Sequence, residues 1–94
     1  MKAERDIEKE LTQKVRELGG LSYKWVSPGS DGVPDRIIIM PGGTVWFVEL
    51  KTEKGRLSQI QRYQIKRLRK AGCLVRTIYG QKGLEGFLNE IQSA

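Results

Sequence analysis

Two carboxylates and a lysine have the types and spacing for joint chemistry. Asp35 follows Pro34 at the start of an apolar run, PDRIIIM. Glu49 and Lys51 close a second run, VWFVELK, and the turn formers Pro41-Gly42-Gly43 lie between the two. Apolar β-rich runs on either side of such a turn predict a hairpin. Asp35 and Glu49 then fall side by side at its open end, and Glu49 and Lys51, two residues apart, face the same way. Paired carboxylates in a buried sheet repel each other and lose hydration. A divalent cation resolves both costs. Such an ion also polarises a phosphodiester and lowers the pKa of a bound water. A neighbouring lysine can orient that water or neutralise developing charge. The plainer alternative makes Asp35 a turn cap and Glu49–Lys51 a same-face ion pair.

Composition removes competing chemistries. The 94 residues contain no histidine and one cysteine, Cys73. Ser-His-Asp triads, Cys-His proteases, His-ligated zinc and internal disulfides are excluded. Oxygen ligands alone point to a hard ion, Mg²⁺ or Mn²⁺. The length fits one domain over 1–94. No apolar run free of Gly and Pro exceeds four residues, as in Ile37 to Met40, so no membrane span is expected. The first ten residues lack the apolar region of an export signal, and a cytoplasmic protein is expected.

The elements that must position these residues follow from periodicity. Ile7, Leu11, Val15 and Leu18 mark an amphipathic helix over 3–18, stopped by Gly19-Gly20. Strands are expected over 21–26, 35–40 and 44–51, the second and third buried on both faces. A second helix is expected over 57–71, with Leu57, Gln61, Gln64, Ile65, Leu68 and Ala71 on its inner side. A strand over 73–79 and a short helix over 81–92 complete the chain. The strand–helix–strand step makes a parallel pair the expected outcome. The fold class is α/β: a mixed central sheet flanked by helices, in the order αβββαβα. Trp25 and Trp46 read as core or interface aromatics, and Cys73 as an ordinary buried strand residue.

The net charge is +6, and it is concentrated. Residues 1–20 carry five basic and five acidic side chains, whereas residues 51–72 carry eight basic ones against Glu53 alone. Such a patch suits a polyanion, most simply nucleic acid, or forms a solvated helix face. Lys54, Arg56, Arg62, Lys66, Arg69 and Lys70 are its candidate phosphate contacts. Lys24, Ser30 and Arg36 border the carboxylates and are candidate DNA contacts.

The residues also carry a family resemblance. Gly32-Val33-Pro34-Asp35, followed after thirteen residues by Glu49-Leu50-Lys51, resembles the PD-(D/E)XK nuclease signature. The element order is similar to the restriction-endonuclease-like core. More narrowly, nearly the whole chain resembles the small, phage-type VRR-NUC (virus-type replication-repair nuclease) domain. The shared features are Glu4-x-x-Ile7-Glu8, the Gly19-Gly20 stop, Ser27-Pro28-Gly29, Phe47-Val48-Glu49-Leu50-Lys51, and Gly55-Arg56-Leu57-Ser58 leading to Gln61.

The resemblance implies that Asp35, Glu49 and the Leu50 carbonyl bind Mg²⁺ or Mn²⁺, with Lys51 as the catalytic lysine. It also implies a glutamate from the first helix. Glu4, inside the apolar stripe, is favoured over Glu8 at its edge, and both remain candidates. Gln61 matches the family glutamine; it would bind a metal's water or a phosphate, or bridge helix to sheet. The activity implied is a metal-dependent DNA endonuclease. So small a chain has little room for a recognition module, which favours selection by DNA structure, as in homodimeric Holliday-junction resolvases. A nicking or flap nuclease of phage replication or packaging is the first alternative. A non-catalytic DNA-binding module is the second, although it should have lost Asp35, Glu49 or Lys51. A structural protein with a basic face is the third.

Overall fold

Three branched aliphatic side chains on one helix face set the first packing surface. In the computed structural model, which describes residues 2–93, helix α1 (Glu4–Glu17) places Ile7, Leu11 and Val15 fully out of solvent. Each such side chain contributes roughly 1.5–3 kcal/mol on burial. Glu4 and Asp6 occupy the first turn and Lys14 and Arg16 the last, complementing the helix dipole. The helix stops at Gly19, whose φ of +84° favours a residue without a Cβ.

Four strands follow as β1 (Leu21–Lys24), β2 (Arg36–Ile39), β3 (Val45–Lys51) and β4 (Leu74–Tyr79). They lie in the order β1-β2-β3-β4. The first two pairings are antiparallel, and β3 and β4 run parallel, joined through helix α2 (Gln59–Lys70). Helix α3 (Gly80–Ser93) leaves β4 directly. The α/β class, element order and mixed sheet are those the sequence predicts. The strands are shorter than expected at their ends. Trp25 and Asp35 continue the ladder by a single 2.7 Å hydrogen bond, from the Trp25 N–H to the Asp35 carbonyl, just past the regular strands.

The two sheet faces are unequal. Ile38, Trp46, Val48, Leu50 and Ile78 turn toward α1 and α3 and join the main core with Leu84, Phe87, Leu88 and Ile91. On the other face α2 packs against β4, with Ile65 and Val75 buried. That helix leaves the β1–β2 half open. The expectation that β2 is buried on both faces is therefore corrected: Arg36 and Ile38 are buried, whereas Ile37 and Ile39 are half-buried. One helix is too narrow to roof four strands.

Candidate active site

The β2–β3 register places the carboxylates. Arg36 pairs with Val48, so Asp35, one step earlier, stands opposite Glu49. Both lie on the α2 face, since Arg36 and Val48 face α1. The Leu50 N–H donates to Asp35 Oδ2 at 3.0 Å, which pins this carboxylate across the end of the hairpin. Glu49 is only 2% exposed. Its Oε2 accepts from Gln61 Nε2 at 3.1 Å and lies 4.0 Å from Lys51 Nζ. Its Oε1 is buried and has no hydrogen-bond partner among the described residues. Burial, then the Asp35 charge, push the Glu49 carboxyl up to about 8; Lys51 opposes that rise and Glu4 adds to it.

Gln61 is held by its own helix start. Ser58 is the N-cap of α2, its Oγ accepting from the Gln61 N–H at 3.2 Å. Gln61 Oε1 accepts in return from the Ser58 N–H at 2.8 Å. This capping box satisfies two otherwise orphaned donors. It also leaves the amide Nε2 free to point at Glu49. The Ser58-x-x-Gln61 spacing is the sequence signal for that box, and it places the helix start two residues later than hydrophobic periodicity does.

The first-helix glutamates part ways. Glu4 is exposed, and its charge acts on Glu49. Glu8 Oε2 lies 3.6 Å from Arg36 Nη1. Arg36 Nη2 also donates to Thr12 Oγ1 and Ser22 Oγ, at 3.1 and 3.0 Å. Arg36, expected from the sequence as a DNA contact, thus ties α1 to β1 and β2 and is 8% exposed. Its position beside Asp35 in the chain turns it to the opposite sheet face. Lys24, paired with Arg36 in the ladder, shares that face and is exposed. No linear motif signals the Glu8–Thr12–Ser22–Arg36 network, because its members are gathered only by tertiary pairing.

The remaining candidates surround the mouth of the site or run away from it. Lys54 and Arg56 are exposed in the loop that follows Lys51, and Ser30 in the loop that precedes Asp35. Arg62 and Lys66 are exposed on α2. Arg69, farther along that helix, donates from Nη2 to the Val75 carbonyl at 3.0 Å.

The donor set fits a hard cation in one respect. Two carboxylates meet at a point where one buried oxygen lacks a partner, and oxygen donors suit Mg²⁺ or Mn²⁺. Among the described residues no three Asp, Glu, His or Cys side chains converge as a ready-made metal group. Glu4 is therefore near the pair without closing on it.

A mixed sheet in this strand order, flanked by helices, is a restriction-endonuclease-like core, with a carboxylate pair and a lysine at the open end of its hairpin. The comparisons make this specific. The VRR-NUC domain family matches residues 2–82, and the chain belongs to that family. A solved VRR_NUC domain is 32% identical, with a TM-score of 0.84 over 92% of this chain and 94% of its own. A second structure, a VRR_NUC domain protein, shares the fold at 14% identity, with a TM-score of 0.71 over 99% and 89% of the two chains. Over 48 residues the chain is 54% identical to "Putative nuclease p44" of Acyrthosiphon pisum secondary endosymbiont phage 1. That match spans 51% of this chain and 52% of the phage protein, so the chain spans about half the length of this curated relative. Among the described residues no helix is long and apolar enough to cross a membrane.

Proposed function

We propose that the chain is a Mg²⁺- or Mn²⁺-dependent DNA endonuclease that acts on branched DNA as a homodimer. The observation that carries the reading is the Asp35–Glu49 pair, with Lys51 beside it and one Glu49 oxygen buried without a partner. Asp35, Glu49, the Leu50 carbonyl and Glu4 would hold the ion. When bound, a divalent cation supplies charge for the scissile phosphate and acidifies a water. The chain's own groups do the rest. The Leu50 N–H and the Gln61 amide each engage one carboxylate oxygen and aim the other. Lys51 Nζ stands against the carboxylate wall, 4.0 Å from Glu49 Oε2, where it can orient the attacking water and offset charge on the phosphate. The exposed bases Lys54, Arg56, Arg62 and Lys66 supply phosphate contacts around the site.

The dimer is supported by the uncovered sheet face. Leu21, Ile39 and Val45 form one rank across three strands, and Tyr23, Ile37 and Phe47 the next. Leu21 is 49% exposed and Tyr23 55%. Apolar ranks of this kind favour burial against a second copy, and two-fold symmetry would supply two sites for the paired nicks a four-way junction requires.

The test is cleavage of labelled four-way junction, flap and linear duplex with Mg²⁺, Mn²⁺ or EDTA, with Asp35→Asn as control. Paired nicks in the junction, lost in EDTA and in the variant, are expected. Cleavage that survives Asp35→Asn would remove the site assignment. Tight metal-independent binding without cleavage would leave a DNA-binding module.

A further inference from the structure

The outward surface of α2 carries two unlike stripes. Arg62, Lys66 and Arg69 follow at i, i+4 and i+7 and are basic throughout. Ile60, Tyr63 and Arg67 follow at i, i+3 and i+7 and begin apolar. Ile60 is 45% exposed and Tyr63 53%. The Arg67 guanidinium lies 5.5 Å from the Tyr63 ring centroid, a cation–π arrangement. Ser58, Gln59, Ile60 and Tyr63 line a shallow depression at this end of the helix.

This ledge is fixed to the carboxylate site from two directions. Gln61, between Ile60 and Tyr63 in sequence, donates inward to Glu49. The loop that ends in Asp35 is fastened to the same helix. Gln64 Nε2 donates to the Asp31 carbonyl at 3.1 Å. Gly32, at φ +83°, approaches so closely that a Cβ there would lie 2.8 Å from the Ile60 carbonyl oxygen. Ile60 and Tyr63 are therefore rigidly placed with respect to both Asp35 and Glu49. The thickness of a helix, about 10 Å, separates the ledge from the carboxylates. That is about three stacked nucleotides along a strand.

An aromatic ring beside an aliphatic side chain, set among arginines and lysines, matches one kind of surface: phosphates next to an open base face. A paired duplex presents the phosphates and hides its bases in the stack. A branch point, fork or single strand presents both. We propose that Ile60 and Tyr63 form a stacking ledge that selects DNA with exposed bases about three nucleotides from the cleaved bond. Arg67 holds the ring and reaches the adjacent phosphate. The inference rests on the nuclease reading above and deepens it: selection by structure is assigned to a named surface.

Binding in EDTA tests the ledge apart from catalysis. The full chain, Tyr63→Ala and Tyr63→Phe are titrated into a four-way junction carrying 2-aminopurine at the branch, and into a fully paired duplex. Tyr63→Ala should weaken junction binding by about tenfold or more and change duplex binding by less than about twofold. Wild type and Tyr63→Phe should quench the 2-aminopurine, and Tyr63→Ala should not. Equal losses on both DNAs, or none on either, would overturn the ledge. So would Tyr63→Ala turning a dimer into monomers in light scattering, because the surface would then belong to a second copy. Cleavage by the wild type with metal is measured in parallel, so a failed nuclease reading shows there and not in these titrations.

Discussion

Gln61 on α2 donates from Nε2 to Oε2 of Glu49 on β3 at 3.1 Å, while its Oε1 accepts from the Ser58 N–H at 2.8 Å. One side chain thus fixes the start of a helix and one oxygen of a buried carboxylate. The two duties separate by substitution. Gln61→Glu keeps an acceptor for the cap, since glutamate serves the capping box equally, and removes the donor to Glu49. Gln61→Ala removes both. Urea unfolding should show a loss of about 1 kcal/mol for the alanine variant; the glutamate variant keeps the cap but sets another carboxyl against Glu49, so its loss should be larger at pH 8 than at pH 5.5. Cleavage rates should fall in both by about tenfold or more. A wild-type rate in Gln61→Glu would mean the contact to Glu49 has no part in turnover.

Glu49 makes the metal-free protein pH-sensitive. Its carboxyl is raised to about 8 in the fold, against an ordinary 4.5. Between those values the folded chain binds one more proton than the unfolded chain at this group. Stability from Glu49 is therefore full below about pH 4.5 and is lost as pH rises through about 8. Glu10 and Glu90 do not confuse this window. Gln81 and Arg76, respectively, hold their carboxyls below the ordinary value, so they titrate at lower pH. In EDTA the urea midpoint should be higher at pH 5.5 than at pH 8.5, and Glu49→Gln should flatten the profile. Mg²⁺ or Mn²⁺ at pH 8 should raise the midpoint of wild type by mass action and leave Glu49→Gln unmoved. A wild-type midpoint that does not change with pH would contradict a buried carboxyl with one unpartnered oxygen.

Lys51 opposes the rise of the Glu49 carboxyl and stands 4.0 Å from its Oε2. Lys51→Ala should cut the cleavage rate by about 100-fold, the scale for removing one group that stabilises developing charge. It should also move the pH–rate curve to higher pH, because one positive charge that favours the Glu49 carboxylate is then gone. A full rate at unchanged pH optimum would hand water orientation to another group.

The two first-helix glutamates differ in what they touch, and this separates their variants. Glu8 pairs with Arg36 at 3.6 Å. Glu4 is exposed, and its charge acts on Glu49. Glu4→Gln should leave thermal stability intact and lower cleavage by about tenfold or more. Glu8→Gln should retain cleavage and lose up to about 1 kcal/mol of stability, as for a partly exposed pair. The opposite pattern would make Glu8 the residue that completes the site.

The fold was legible in the sequence because its signals are local. Ile7, Leu11 and Val15 repeat at the helical period, and three isoleucines between turn formers can hardly be anything but a strand. Asp35 and Glu49 were legible as neighbours because a short hairpin fixes register. Arg36 was not, since its fate depends on Thr12 and Ser22, brought to it by α1 and β1. The open face of β2 was hidden for the same reason: apolarity at Ile37 and Ile39 does not say whether a helix or another molecule covers them. Ser58-x-x-Gln61 carried a usable local signal, the capping box, that periodicity alone passes over.

The basic stripe on α2 divides into residues free to meet phosphate and one that is engaged. Arg62 and Lys66 are exposed, with no side-chain hydrogen bond or ion pair among the described residues, whereas Arg69 donates to the Val75 carbonyl at 3.0 Å. Each phosphate contact releases counterions and adds about 0.9 to the slope of log affinity against log salt on duplex DNA. Arg62→Ala with Lys66→Ala should therefore reduce that slope by about two and weaken all DNAs alike, with thermal stability unchanged. Arg69→Ala should instead lower stability, by about 0.5–1.5 kcal/mol for one lost hydrogen bond, and move the slope by less than one contact. Affinity measured at four salt concentrations, alongside thermal melts, reads both. An unchanged slope in the double variant would place the DNA path off this face of α2, along Lys54 and Arg56 at the mouth of the site.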